Sequence, residues 1–292
     1  MNEAFNKLAV LIPTRNRPGI LGTTLKELQA AGLGEVPLWI YDDCSADPTA
    51  IAKAAAVWPG AHVIQGKVRV GQAEGRNVLM RECGREFGLF LDDDSFPKSV
   101  AGLEKHLVHQ PELRRAAVTF QYLDVPTQRY STPRDLPAGP CKFFQGGGSL
   151  FHIPTILGLG GFRKFFIYGY EEPELSCRLQ MNGYHIWYDP ALTVHHNHFD
   201  TPAEFRNHRE YHYLYARNSI LMSSLNMPIW LGLPHGLARS VRRSMFQKTF
   251  FGPKIKGTFD GIWQSFAFWR ERTPSSTATT LEWIRFSKTC SR

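Results

Sequence analysis

Short runs of apolar, β-prone residues alternate with stretches of helical periodicity through the first hundred positions. Leu8–Ile12 reads as a buried strand, and Gly19–Ala31, after a Pro-Gly turn, as a helix. Leu38–Tyr41 is the next strand, and Asp47–Val57, with its Asp-Pro start, the next helix. His62–Gln65, Gly75–Gly84 and Phe87–Leu91 continue as strand, helix and strand. This alternation with short links predicts an α/β fold with a mostly parallel sheet. Ligands of such sheets sit beyond the carboxyl ends of the strands, so chemistry is expected just after Ile12, Tyr41 and Leu91.

From Ala116 to Pro190 the chain is rich in Gly, Pro and aromatic residues and reads as strands and loops with one helix. That helix begins near Glu172-Pro173, runs to Met181 and stops at Asn182-Gly183. A long helix is expected over Pro202–Asn226. Beyond it, helical fragments are expected, broken at Pro228, Pro234, Gly252-Pro253 and Pro274.

Composition narrows the class. The 292 residues are 43% hydrophobic, enough for a sizeable core. Five scattered cysteines without a CxxC pair suggest neither a disulfide framework nor a zinc ribbon, and fit a reducing compartment. Met1–Lys7 is polar and the apolar run after it ends at Pro13, unlike a secretory leader. No apolar stretch approaches the roughly 20 residues of a membrane span. The expected location is cytoplasmic, at most peripheral on the inner face of the cell membrane.

The net charge of +8 is unevenly placed: Pro228–Arg292 carries 11 Lys/Arg against 3 Asp/Glu, and the remainder is neutral. Such a tail either meets an anionic partner or is a solvated basic face. Phe259, Ile262, Trp263, Phe266 and Trp269 recur there at helical spacing. They form either a membrane-surface stripe or a face docked on the protein's own core.

All three strand ends are polar. Pro13-Thr14-Arg15-Asn16-Arg17 follows the first, Asp42-Asp43-Cys44-Ser45 the second, and Asp92-Asp93-Asp94-Ser95 the third. Three consecutive carboxylates repel one another unless cations sit among them, and hard oxygen ligands select Mg²⁺ or Mn²⁺. A turn or helix cap needs only one aspartate. Asp42 and Asp43 either accept from a base or ribose, as acids at strand ends do in dinucleotide folds, or start the following helix. Glu171, Glu172 and Glu174 crowd the start of another helix, more acids than capping requires, and one of them is a candidate general base. Within His195-His196-Asn197-His198, strand geometry puts His196 and His198 on one face and His195 on the other. Arg206 and Arg209 share a helix face as phosphate ligands or salt-bridge partners, and Gly146-Gly147-Gly148 is either a sugar-approach site or a loop.

Pro13-Thr-Arg-Asn-Arg, Asp42-Asp-Cys-Ser-Ala-Asp, Gly75-Arg-Asn, Phe90-Leu-Asp-Asp-Asp and Gly160-Gly-Phe…Glu171-Glu-Pro-Glu-Leu-Ser…Gly183-Tyr occur in a specific order. As an ordered set over roughly residues 7 to 200, they resemble glycosyltransferase family 2. The resemblance implies the A-type glycosyltransferase fold, Rossmann-like, with a helical C-terminal extension. It implies a nucleotide-sugar-binding half at 1–105, an acceptor-binding half at 106–200 and a basic extension at 201–292. The activity implied is inverting transfer of a sugar from a nucleotide diphosphate donor to a hydroxyl of a glycan or lipid-linked acceptor. Rhamnosyltransferases of cell-surface glycan synthesis are similar in length and pattern.

Carried over residue by residue, the resemblance gives donor binding to Pro13, Thr14, Arg15, Asp42, Asp43, Arg76, Asp92 and Asp93. It gives Mn²⁺ or Mg²⁺ to Asp94 with Asp92 and His196, the family's acid pair to Glu171-Glu172 with acceptor contact at Glu171, and the base to Glu172. Gly147 and Gly148, as the site of a sugar's close approach, are assigned to the acceptor. This chain has Glu172 where the family usually has Asp.

A sugar-phosphate nucleotidyltransferase also needs a metal-binding acidic cluster, but would show a Gly-rich basic loop after its first strand where this chain has Pro13–Gly19 with one glycine. A basic nucleic-acid-binding protein would carry a reader motif, and none is present, so no nucleic-acid partner is expected. A non-catalytic sugar-binding relative would have no use for the intact acidic cluster.

Overall fold

The computed structural model describes residues 3–108, 111–131, 135–197, 209–246 and 250–286. His198, Arg206 and Cys290, and the start of the helix expected from Pro202, lie outside the described residues. The chain divides into two compact units: residues 1–167, 184–198 and 288–292, and residues 168–183 and 199–287.

The first unit is built on one sheet. Its strands are β1 (Leu8–Thr14), β2 (Leu38–Asp42), β3 (His62–Gln65), β4 (Phe87–Leu91), β5 (Ser95–Pro97), β6 (Arg115–Asp124), β7 (Arg129–Tyr130), β8 (Gly139–Cys141), β9 (Gly148–His152) and β10 (His185–His196). Their order is β3-β2-β1-β4-β9-β6-β10-β5, with β7 beside β6 and β8 beside β10. The first four run parallel, as the alternation predicts. β9 enters antiparallel to both β4 and β6, and β10 runs parallel to β6. Six strands therefore point one way, and the carboxyl ends of β1, β2, β4 and β10 share an edge.

Helices α1 (Pro18–Leu28), α2 (Pro48–Ala55), α3 (Gly71–Glu82) and α4 (Ile153–Gly158) complete this unit. Both β1 and β4 are buried along their whole length, and Leu8, Val10, Ile12, Leu89 and Leu91 pack with Leu21, Leu25, Leu28 and Ile51 of the helices. Asp47 caps α2 by accepting from the Ala50 N–H at 3.0 Å. α3 begins four residues before the expected Gly75. The Asp43 carboxylate accepts from the Val70 N–H at 2.7 Å and the Gly71 N–H at 3.0 Å, so a residue far away in sequence supports its first turn.

The second unit holds α5 (Glu171–Met181), α6 (Arg209–Asn226), α7 (Ile229–Phe246), α8 (Phe251–Ala267) and α9 (Thr277–Arg285). The break expected at Gly252-Pro253 lies just ahead of them, between α7, which ends at Phe246, and α8, which starts at Phe251; the one expected at Pro234 does not occur. Pro253 falls in the first turn of α8, where its missing N–H would have no helical partner anyway. Pro234 lies inside α7, which runs on through it, and the glycines on either side admit a very close neighbour. A Cβ on Gly232 would meet the Ser223 carbonyl oxygen at 2.6 Å, and one on Gly236 the Ile220 Cα at 2.7 Å. α8 approaches α6 the same way, through Gly257 and Gly261. No described helix is long and apolar enough to cross a membrane. Cys44, Cys83, Cys141 and Cys177 are all thiols.

Within the sheet unit, Asp189 of β10 takes His106 Nε2 at 2.7 Å, Lys105 Nζ at 2.7 Å and the Ala191 N–H at 2.9 Å. Burial alone would raise this carboxyl; Lys105, the Ala191 N–H and His106 outweigh it and hold the group below the usual carboxylate range. Burial keeps His106 below its ordinary value against the pull of Asp189. A depressed carboxylate contributes stability that is present above its unfolded value, near pH 4, and lost as pH falls through the folded value. Asp189→Ala is expected to cost about 1.5–3 kcal/mol in urea unfolding at neutral pH. The deficit should shrink in acid; a deficit independent of pH would contradict the assignment.

Candidate active site

The loop after β1 is locked to those after β2 and β4. The Asn16 N–H donates to Ser45 Oγ at 2.8 Å, and Asn16 Oδ1 accepts from the Ala46 N–H at 2.8 Å. Asn16 and Cys44 both adopt left-handed backbone, with φ of 58° and 59°, which sharpens the two turns. Asp42 is buried; one carboxylate oxygen accepts from the Ser45 N–H and Oγ, while Oδ2 has no hydrogen-bond partner among the described residues. A buried, unsatisfied carboxylate oxygen at a strand end is an acceptor waiting for a donor. Asp43, whose two oxygens support α3, is the structural member of the pair.

The three aspartates after β4 diverge. Asp92 accepts from Arg76 of α3 at 3.1 Å; that guanidinium is 1% exposed on its side chain and lies over the Phe162 ring at 5.6 Å. Asp93 turns inward, accepting from Thr14 Oγ1 at 2.7 Å and pairing with Arg17 at 2.7 Å, while Thr24 Oγ1 donates to its carbonyl at 2.7 Å. Burial, opposed by Arg17 and Thr14 and reinforced by its acidic neighbours, pushes the Asp93 carboxyl up to about 7. Asp94 accepts from Arg17 at 2.6 Å and lies 3.2 Å from His196 Nε2. Burial would raise this carboxyl too, but His196 and Arg17 prevail and hold it below the usual range. His196 is correspondingly raised, its burial outweighed by Asp94 and the acids beyond it.

β5 delivers the histidine. Ser95, His196's partner in the antiparallel β5–β10 pairing, follows Asp94 directly, and the Asn197 N–H donates to the Asp94 carbonyl at 2.8 Å. His195 faces the other way, stacked on Phe96, as strand alternation requires. One ligand atom from each of Asp92, Asp94 and His196 lies within 4.8 Å of the others. Two carboxylates and an imidazole suit Mn²⁺ or Mg²⁺, with open positions for other oxygens.

Gly147 lies at this cluster. A Cβ there would sit 2.3 Å from Asp92 Oδ2, and the Gly147 carbonyl accepts from Ser95 Oγ. Gly148 abuts Tyr122 and Val194. Pro13 is buried inside β1, and Arg15 is exposed at its end. Asn77, next to Arg76, exchanges hydrogen bonds with the Phe162 backbone at 2.7 and 2.8 Å, fixing the glycine turn before it.

In the second unit, α5 opens on Glu171, not Glu172, after a left-handed Tyr170 at φ 72°. Glu171 is buried and Glu172 half-buried. Glu174 is fully buried in a two-pronged pair with Arg178, both contacts at 3.0 Å, and accepts from Asn226 at 3.2 Å. It is therefore a packing residue, and Arg217, which donates to Gln264 Oε1 at 2.6 Å, is another. Sequence reasoning passed over Arg17, the cation between Asp93 and Asp94. Its signal was a second arginine two residues after Arg15 in the loop leaving β1.

A family model described as glycosyl transferase family 2 matches residues 9–166, more than half of the chain. The chain belongs to glycosyl transferase family 2. Among solved structures, S. aureus TarS 1-349 in complex with UDP-GlcNAc is similar at 16% identity and TM-score 0.66, over 89% of this chain and 80% of that one. A mannosyltransferase, PcManGT from Pyrobaculum calidifontis in complex with GDP-Man and Mn²⁺, is similar at 14% identity and TM-score 0.56, over 90% and 86%. No curated protein matches the chain in sequence. These likenesses give this family-2 chain the A-type glycosyltransferase fold.

Gly147→Ala tests the cluster's geometry. The new methyl would press on the far ends of two side chains, Asp92 and Tyr122, so urea stability should change by no more than about 1 kcal/mol. Asp92 would be displaced, and Mn²⁺ affinity measured by calorimetry should fall at least about tenfold. Unchanged affinity would show that Asp92 is no ligand.

Proposed function

We propose that this family-2 protein transfers a sugar from a nucleoside diphosphate donor to a hydroxyl of a glycan or lipid-linked acceptor, with inversion at the anomeric carbon. The observation that carries the proposal is the convergence of Asp92, Asp94 and His196 at the carboxyl edge of the sheet, the edge that also carries the buried Asp42 oxygen at the end of β2. The nucleotide sugars and Mn²⁺ bound to the two structural relatives support the same reading.

Asp42 Oδ2 would accept from the donor's base or ribose. Arg76, held by Asp92 and Phe162, would bring positive charge to the donor, and Pro13 and Thr14 at the end of β1, Arg15 after it and Asp43 after β2 would line the donor's place. A divalent cation held by Asp92, Asp94 and His196 would supply positive charge to the departing diphosphate. Asp93, bound by Thr14 and Arg17, would act by positioning its neighbours.

The resemblance gives the base role to Glu172 and acceptor contact to Glu171, and Gly147 and Gly148, which carry no side chain, suit close approach of the acceptor. Glu172 would take the proton of the acceptor hydroxyl as its oxygen bonds to the anomeric carbon. The bond from that carbon to the diphosphate breaks, and the nucleoside diphosphate leaves with both electrons. The resemblance to rhamnosyltransferases of cell-surface glycan synthesis makes rhamnose a candidate sugar and a cell-surface glycan a candidate acceptor.

Two measurements test this. Thermal unfolding should rise with one nucleoside diphosphate only when Mn²⁺ or Mg²⁺ is present, and Asp94→Ala should abolish the rise. No response to any nucleotide with metal present would overturn the donor site. Glu172→Gln should keep that response while turnover falls by about 10²–10⁴-fold; near-normal turnover would remove Glu172 as the base.

A further inference from the structure

α8 is an amphipathic helix turned inside out. The face it buries carries Lys254, Gly257, Gly261 and Ser265, the small residues being those that let it sit against the backbone of α6. Its opposite face carries Phe251, Ile255, Phe259, Trp263 and Phe266, spaced four, four, four and three residues apart and each 52–68% exposed. Trp269, also exposed, continues the stripe by stacking flat against Phe266, their rings 2° from parallel. A surface helix normally hides its large apolar residues and shows its small and polar ones. Scattered exposed hydrophobics are ordinary, but a continuous four-turn stripe marks an interaction surface.

The chemistry around the stripe selects the partner. Exposed Lys256 and Arg270 flank it near its two ends, and the Arg272 guanidinium lies 4.3 Å over the Trp269 ring. Where α8 starts, an open cavity of about 380 Å³ is lined by Arg209, Tyr213 and Lys256, with Glu210 as its one acid. The segment from Pro228 onward carries 11 basic and 3 acidic residues. Aromatic side chains at the rim of an apolar stripe, edged with Lys and Arg, are what an interfacial helix presents to a bilayer with anionic headgroups. A second copy of this chain would bring the same excess of positive charge against itself.

We propose that the exposed face of α8 seats this protein on an anionic lipid surface, with Phe259 and Trp263 at the acyl boundary and Lys256 and Arg270 at the headgroups. The inference does not rest on sugar transfer, and its test uses vesicles that carry neither donor nor acceptor. The full-length protein should co-sediment with phosphatidylcholine vesicles containing phosphatidylglycerol, and weakly with phosphatidylcholine alone. The double variant F259S/W263S should bind the anionic vesicles at least about tenfold more weakly while keeping the wild-type urea midpoint, since both side chains lie outside the core. Lys256→Glu with Arg270→Glu should lose about tenfold or more and abolish the preference for anionic lipid. Absence of vesicle binding by the wild type at low salt, or full binding by F259S/W263S, would overturn the proposal. So would a wild-type dimer in light scattering that F259S/W263S dissolves, because the face would then belong to a second copy.

Discussion

Three adjacent carboxylates at the end of a buried strand are the constraint around which the first unit is arranged. Like charges in consecutive positions persist at low dielectric only when each finds its own compensation. Here the compensation comes from three parts of the chain: Arg76 for Asp92, Thr14 with Arg17 for Asp93, and Arg17 with His196 for Asp94. Each partner stands at a strand end or on a helix packed beside one, so the sheet's topology and the site's electrostatics impose the same arrangement.

That division of labour separates residues that look equivalent in sequence. Asp93 is sealed by its partners and its carboxyl is raised by burial, whereas Asp92 and Asp94 keep oxygens near His196. Asp42 retains an open buried oxygen while Asp43 spends both of its oxygens on the start of α3. Glu174, the third acid of α5, is consumed by Arg178 and Asn226. In each cluster the chain's own donors hold particular acids in fixed places, so neighbours in sequence end in different surroundings.

The features legible in the sequence were those with a local cause. Hydrophobic alternation marked β1 to β4 and their parallel order, and polar residues at strand ends marked the edge where Asp92, Asp94 and His196 converge. Strand periodicity separated His195 from His196. Features with through-space causes were not legible. The early start of α3 depends on Asp43, Arg17 acts on residues more than 70 positions away, and Gly147 matters because Asp92 leans against it. α7 runs through Pro234, with the glycines on either side pressed against the α6 backbone, where local rules predict a break. The outward aromatic face of α8 was visible as periodicity, but which side it showed was decided by Gly257 and Gly261 on the other.

The most direct test of the account is a crystal grown with Mn²⁺ and a nucleoside diphosphate, examined for anomalous scattering at the manganese edge. The account predicts one strong peak bonded to carboxylate oxygens of Asp94 and Asp92 with His196 alongside, and the nucleoside donating to Asp42 Oδ2. A nucleotide bound elsewhere, or the metal absent with Arg17 still closed on Asp94, would contradict it.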